Sequence, residues 1–339
     1  MIASLQPLVD AIWFLVAVTV FPGFLFAFFG ALLNQWYTRK IFARMQNRIG
    51  PKYVGFLGIL QPFYDFFKLF SKESITQKYG RARLYALFIG IGIGSSVATL
   101  LFLPISPFQF QGSFDVVIFI YLGLWSSVAF AIASLMFPNM FPSIGVSRLV
   151  SLMLVFEPAW VLSLLTPVIL VSKTGGALSF SVAETIEKFS TIGSNPVYLV
   201  LTAAAFVAAI TSLQCKLGLQ PFDIFEADTE ILAGVFTEFS GVNLALASLF
   251  HDIEMFAGAF LIVFLFLGGA FPFSLNITQF SLDTLAGILV ILAKFLIVIF
   301  ILIAIKAASA RYRLDQAISF FFKYPLLLAL LTLIIATLV

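Results

Sequence analysis

Eight long apolar runs limit what this chain can fold into. They lie at 12–33, 84–104, 114–137, 149–171, 197–214, 242–268, 285–307 and 323–339. About 20 apolar residues in a helix cross the hydrocarbon core of a bilayer. In hydrocarbon every backbone polar group must be paired internally, which leaves helices and closed barrels. A barrel would be written as short alternating segments, and the sequence has none. The expectation is therefore an all-α integral membrane protein, a bundle of about eight transmembrane helices forming one membrane domain over 1–339. Composition agrees, because 61% of residues are hydrophobic and 10% are charged, whereas a soluble domain carries about 25% charge.

The basic residues orient the bundle. Sixteen of the 19 Lys and Arg lie in the loops 34–83, 138–148, 215–241 and 306–323. With eight alternating spans these loops share one side, and the opposite loops hold only Lys173 and Lys188. The positive-inside rule places the basic set in the cytoplasm and predicts both termini outside the cell membrane. The N-terminus reads Met-Ile-Ala-Ser-Leu-Gln with no basic segment, so the first apolar run is expected to stay as an anchor. The single Cys215 excludes an internal disulfide. It also excludes a Cys-ligated iron–sulfur cluster, which needs about four thiolates. One histidine, His251, argues against a His-rich metal or haem site. No metal and no cofactor are expected in this chain. Asn276-Ile-Thr278 matches a glycosylation acceptor, a pattern short enough to arise by accident.

Three cytoplasmic segments carry information. The first, within 34–83, is Arg44-Met-Gln-Asn-Arg48-Ile-Gly50-Pro51, continuing to Gln61-Pro62. Its Gly and Pro punctuation predicts an ordered loop, and Pro62 suits the first turn of a helix. Phe63, Phe66, Phe67 and Phe70 then fall on one helical stripe, with Asp65, Lys68 and Lys72 opposite. Such an amphipathic helix lies in the membrane interface, its Phe face in lipid or against the bundle. The second segment, 215–241, sets Asp223, Glu226, Asp228, Glu230 and Glu238 beside a single Lys216. Glu226 and Glu230 are i,i+4 on a helix and would repel. Like charges crowded into a shielded site raise one another's proton affinity, which a proton funnel requires. A solvated acidic loop is the alternative, and the interleaved Phe222, Phe225, Phe236 and Phe239 argue against it. The third segment is Lys306-Ala-Ala-Ser-Ala-Arg311-Tyr-Arg313-Leu-Asp315-Gln316. A basic cluster at a helix end also serves as topology signal and lipid headgroup contact.

Ionisable groups within spans are costly and mark function by default. Glu157, Asp252, Glu254 and Lys294 lie in such positions. Pro158 after Glu157 frees a carbonyl one turn back. His251 and Glu254 are i,i+3 and within reach of each other, though a structural histidine at interface level is the plainer reading. Asp115 and Asp283 fall near span ends, where water is expected. Gly90-Ile-Gly92-Ile-Gly94 offers close helix approach, or simply membrane-helix glycine.

Taken together, the motifs resemble the heel membrane subunit of the respiratory complex I family along the whole chain. The first string is matched by Arg48, Gly50, Pro51, Val54, Gly55, Gly58, Gln61, Pro62, Asp65, Lys68, Lys72 and Glu73. The second is matched by Pro221, Phe222, Asp223, Glu226, Ala227, Glu230, Ala233, Gly234, Thr237, Glu238, Ser240 and Gly241. The late string appears as Arg311, Arg313, Asp315 and Gln316, and an Arg with a membrane Glu nine residues on as Arg148 and Glu157. Three positions depart from the complex I pattern. Leu219 stands where an Arg precedes the Pro-Phe-Asp motif, Lys306 replaces an Arg, and Ala310 replaces a Pro. These departures weaken a quinone role. The Arg44-Met-Gln and Gln61-Pro-Phe-Tyr-Asp wording is nearest to the archaeal membrane-bound hydrogenases and sulfur-reducing complexes.

The resemblance implies the membrane subunit of a redox-driven ion pump. It would dock a hydrophilic electron-transfer module through Arg48, Gly50, Pro51, Gln61, Asp65, Lys68, Arg148, Arg311, Arg313 and Asp315. A proton or ion relay would run over Asp223, Glu226, Glu230, Glu238, Glu157, Asp252, His251 and Glu254, driving protons or sodium. Iron–sulfur clusters and a nickel–iron site would belong to hydrogenase-like and iron–sulfur partner subunits, with antiporter-like membrane subunits alongside. The same resemblance permits a quinone-site subunit of an NADH or ferredoxin:quinone oxidoreductase. A solitary secondary transporter and a passive anchor for the redox arm are the rivals outside that class.

Overall fold

The computed structural model describes residues 6–105, 112–175, 179–273 and 282–339, so Asn276–Thr278 lies outside the described residues. Helices and turns account for all regular structure among them, without strands. In chain order the helices are α1 (Gln6–Thr19), α2 (Phe24–Met45), α3 (Gln61–Ser71), α4 (Ala82–Leu101), α5 (Asp115–Ser134), α6 (Met140–Gly175) and α7 (Val182–Glu187). They continue as α8 (Phe189–Ser194), α9 (Pro196–Lys216), α10 (Asp228–Ile231), α11 (Val242–Phe266), α12 (Leu282–Ala308), α13 (Leu314–Lys323) and α14 (Pro325–Leu338). Among the described residues eight helical segments are long and apolar enough to span a bilayer. The chain is a multi-pass membrane protein.

Two of the expected spans belong to helices that run more than a turn and a half beyond their apolar runs, and the first is also interrupted. The run at 12–33 breaks at Phe21-Pro22-Gly23, and α2 continues to Met45. Pro22 has no N–H to continue a helical ladder. The extra turns of α2 carry Arg39, Lys40 and Arg44, whose charge ended the apolar run but not the helix. The fourth run, 149–171, is the middle of the 36-residue α6, which passes through Pro158 and Pro167. The eighth is preceded by the amphipathic α13, with the chain turning at Tyr324-Pro325.

Helix α11 is the axis of the bundle, with 94% of its membrane window buried. It packs against α2, α4, α9 and α12. Lipid gives helices no hydrophobic reason to associate, so small residues and fitted side chains do this work. Gly258 of α11 sits beside Leu213 of α9, and Gly92 of α4 beside the Phe250 ring. Gly90 and Gly94 face open space, because residues two apart on a helix point to opposite sides. The close approach in that glycine run is at Gly92 alone. Phe26 meets Phe256 edge-on at 5.5 Å, and Phe260 stacks on Phe295 at 4.6 Å.

Helix α3 starts with Pro62 in its first turn. Phe66 packs on Phe28 of α2 at 5.2 Å and Phe63 on Phe29 at 5.9 Å, while Phe67 and Phe70 are exposed. Across the helix, Arg39 donates to Asp65 at 2.5 Å, with the two side chains 42% and 35% exposed. An ion pair that open to water contributes about 0–1 kcal/mol. Asp65→Ala is expected to move the thermal midpoint of the detergent-solubilised protein by no more than about 4 °C, read by tryptophan fluorescence.

Lys294 and Asp115 have structural roles. The Lys294 ammonium donates to the carbonyls of Leu267, Gly269 and Phe271 at 2.7–2.9 Å, capping the chain where α11 ends. Asp115, expected to be solvated, is fully buried. Its carboxylate accepts from the Gly112 N–H at 2.6 Å and the Ser181 hydroxyl at 3.4 Å. Those bonds tie the start of α5 to the start of α7. Asp283 is exposed at the start of α12.

Candidate functional site

The acidic segment is a buried fold rather than a surface loop. Leu217, Leu219, Phe222, Ile224, Phe225 and Ala227 are all buried. Helix α9 ends at Lys216, and the residues that follow are buried within the bundle. Glu226 and Glu230 are not helical neighbours. Ala227 caps α10, so Glu226 lies outside the four-residue helix that contains Glu230. The helical spacing that would make them repel is absent, and Glu230 and Asp223 each have a separate cationic contact. Arg148 of α6 donates to Glu230 at 2.5 Å and to the Ile224 carbonyl at 3.3 Å. Arg311 donates to Asp223 at 2.5 Å and to the Thr229 hydroxyl at 3.3 Å. Asn139, at the start of α6, donates to Glu238. The Tyr312 N–H donates to the Pro221 carbonyl at 3.0 Å, fastening the late basic segment to the acidic one.

These contacts enclose a chamber of about 220 Å³ lined by Leu219, Asp223, Glu226, Phe236, His251 and Lys306. Two acids, a histidine and an ammonium thus face one space on the side of the basic loops. His251 belongs to this chamber and does not pair with Glu254.

Glu254 lies in a second, deeper cluster. The Lys216 ammonium is 3.2 Å from Glu157 Oε1 and 3.7 Å from Glu254 Oε1, and it donates to the Gly123 carbonyl at 2.9 Å. The three charged side chains are 5%, 8% and 9% exposed for Lys216, Glu157 and Glu254. Ser126 and Ser127 of α5 lie 2.7 Å and 3.3 Å from Glu254 Oε1. Four helices meet here, α5, α6, α9 and α11. Counting 1.5 Å per residue, Glu254 lies about 18 Å along α11 from Val242. Asp252 faces elsewhere, accepting from the Gln35 amide at 2.6 Å in a small cleft that also holds Arg39 and Asp65.

The structure therefore joins Asp223, Glu226, His251 and Lys306 around one chamber, with Arg311 bound to Asp223 and Arg148 to Glu230. It groups Glu157 with Glu254 elsewhere. In the first segment Lys40 donates to the Pro51 carbonyl at 2.9 Å, Gln61 donates to Asp65 at 2.9 Å, and Gly50 has a φ of +68°. Arg48 lies over the Phe42 ring at 5.7 Å. Arg48, Lys68, Arg313 and Asp315 are exposed, and none forms an ion pair among the described residues. Among those residues no three His, Cys, Asp or Glu converge as a metal site.

Sequence reading missed Lys216, which it counted as a loop charge two residues past the fifth apolar run. A signal was available, because two buried carboxylates need a cation. Gly123, Ser126 and Ser127 form a small polar notch in the third span that admits one.

A family model described as NADH dehydrogenase matches residues 15–337. A subunit of the NADH-quinone oxidoreductase of Brevibacillus brevis (strain 47) is 28% identical over 330 residues, covering 97% of this chain and 93% of that protein. A chain in the structure of the membrane-bound sulfane sulfur reductase, an archaeal respiratory membrane complex, matches with a TM-score of 0.75 and 26% identity. That match covers 92% of this chain and 96% of the other.

Proposed function

This chain belongs to the NADH dehydrogenase family, and on that footing we propose that it is the membrane subunit of a redox-driven ion pump. It docks a hydrophilic electron-transfer module on its basic side and passes the effect of redox turnover into the membrane. The observation that carries this reading is the contact between chamber and buried cluster along two elements. Leu217 lines the chamber and Lys216, the residue before it, holds the cluster. On α11, His251 lines the chamber, and Glu254, nearly one turn on, belongs to the cluster. A charge or proton arriving near Asp223 and Glu226 is thereby passed to Glu157 through Lys216 and Glu254. Buried ion pairs respond strongly to such changes because little water screens them.

In this reading, the iron–sulfur clusters and a nickel–iron site lie in hydrogenase-like and iron–sulfur partners, and antiporter-like subunits carry much of the ion path. Both termini face away from that module. A second reading makes the chamber a quinone site, favoured by the relative that belongs to an NADH-quinone oxidoreductase. Leu219 on the chamber wall, in place of a donor that would hold a quinone carbonyl, favours the first.

Isolation in mild detergent with peptide mass spectrometry of the co-purifying subunits tests the assignment. Hydrogenase-like, iron–sulfur and antiporter-like subunits are expected. Flavin subunits that bind nucleotides, with quinone-dependent turnover, would select the second reading. A reproducibly solitary chain would overturn both.

A further inference from the structure

The buried cluster contains two carboxyls and one ammonium. With all three ionised it carries a net negative charge among four helices, a state that burial strongly disfavours. No other cation among the described residues forms an ion pair with Glu157 or Glu254. Neutrality is reached when one of the two carboxyls holds a proton. We propose that Lys216 positions a single exchangeable proton shared between Glu157 and Glu254, its ammonium remaining fixed between them while the proton changes sides. This rests on the relay role of Glu157 given above and adds the residue that sets the cluster's charge.

The surroundings suit both protonation states of each acid. A hydroxyl has one proton to donate and lone pairs to accept with. Ser126 Oγ lies 2.7 Å from Glu254 Oε1 and 2.9 Å from the Gly123 carbonyl. When Glu254 is ionised, Ser126 donates to it. When Glu254 is protonated, its O–H donates to Ser126, which turns its own proton to the carbonyl. Glu157 Oε2 is buried without a hydrogen-bond partner in the protein, so it can bear the proton at no cost in broken protein bonds. A cavity of about 20 Å³, lined by Ser126, Lys216 and Glu254 among others, adjoins the cluster. That is room for one water, which needs about 10–15 Å³, placed to accept a proton from Glu254 or return one to it beside the Lys216 ammonium. In the transfer the O–H bond of one carboxyl breaks as that of the other forms, and the ammonium keeps its three protons. The ammonium also occupies the seat, among two carboxyl oxygens and the Gly123 carbonyl, that a metal cation would take. The mobile charge at this point is a proton rather than sodium.

The test is infrared difference spectroscopy on the intact purified complex, reading the carbonyl stretch of protonated carboxyls and its shift in heavy water. Glu157→Gln and Glu254→Gln are each expected to remove the same single protonated carboxyl, because the remaining acid then pairs with Lys216 as an anion. Lys216→Met is expected to give about twice the wild-type signal from the pair, since both acids must then be neutral. Lys216→Arg keeps one. Replacing sodium by potassium leaves the band unchanged. A Gln variant that retains the band, a Lys216→Met spectrum like wild type, or a sodium-dependent band overturns the proposal. The two Gln variants decide the matter even if Lys216→Met does not assemble. These spectra report charge in the cluster whether or not the complex pumps, so they separate failure of this inference from failure of the pump assignment.

Discussion

Glu157→Gln is expected to give a complex with its full complement of subunits and ion transport lowered by at least about tenfold, equivalent to ~1.4 kcal/mol or more on the limiting step. The amide has the shape of the carboxyl and leaves Lys216 its second partner, Glu254, at 3.7 Å. Removing every partner of a buried charge costs about 3–5 kcal/mol, and this substitution avoids that loss, so assembly survives. What disappears is the exchangeable proton and one of the two sites it occupies. Transport into proteoliposomes, followed with a pH-sensitive dye and normalised to subunit content on a native gel, provides the measurement. Wild-type transport in an assembled Glu157→Gln complex would leave the subunit a passive anchor.

Gly234→Val is expected to abolish docking of the hydrophilic module while the chain still inserts in the membrane. Gly234 has a φ of +47°, and a Cβ there would lie 2.0 Å from the Phe225 carbonyl oxygen, a backbone atom that cannot swing aside. The left-handed conformation costs a β-branched residue about 1–2 kcal/mol before any clash is counted. From the other side, Gly145 of α6 packs against the same turn, where its own Cβ would come within 2.8 Å of the Val235 nitrogen. The turn has nowhere to move. Forcing it open displaces Phe225 and, with it, the acids Asp223 and Glu230 that Arg311 and Arg148 hold. Immunoprecipitation of the membrane chain should then recover none of the proposed hydrophilic partners, with insertion confirmed by carbonate-resistant membrane association. Retained docking would mean that the acidic fold is not the docking scaffold.

The membrane architecture was legible because a bilayer imposes a length and a polarity that hydropathy reads directly. Eight runs gave eight spans. Their ends were less legible, because basic residues such as Arg39 end an apolar run without ending a helix. The acidic segment showed its chemistry but not its geometry. An i,i+4 spacing presumes a continuous helix, and here the helix is broken between Glu226 and Glu230.

From the sequence alone came the membrane class, the number of spans, the family motifs and most of the charged residues of interest. Only the tertiary structure decided which charges meet. Lys216 is one residue among many at a helix end until α9 stops deep in the bundle beside α6 and α11. His251 and Glu254 are neighbours in sequence and on one helix, yet they face different compartments. The physical reason is that the cost of burying a charge in a membrane is settled by long-range partners, such as Lys216 with Glu157 across 59 positions of sequence. Hydropathy and spacing register only neighbours along one element, so they reveal where charges lie and not how they are paired.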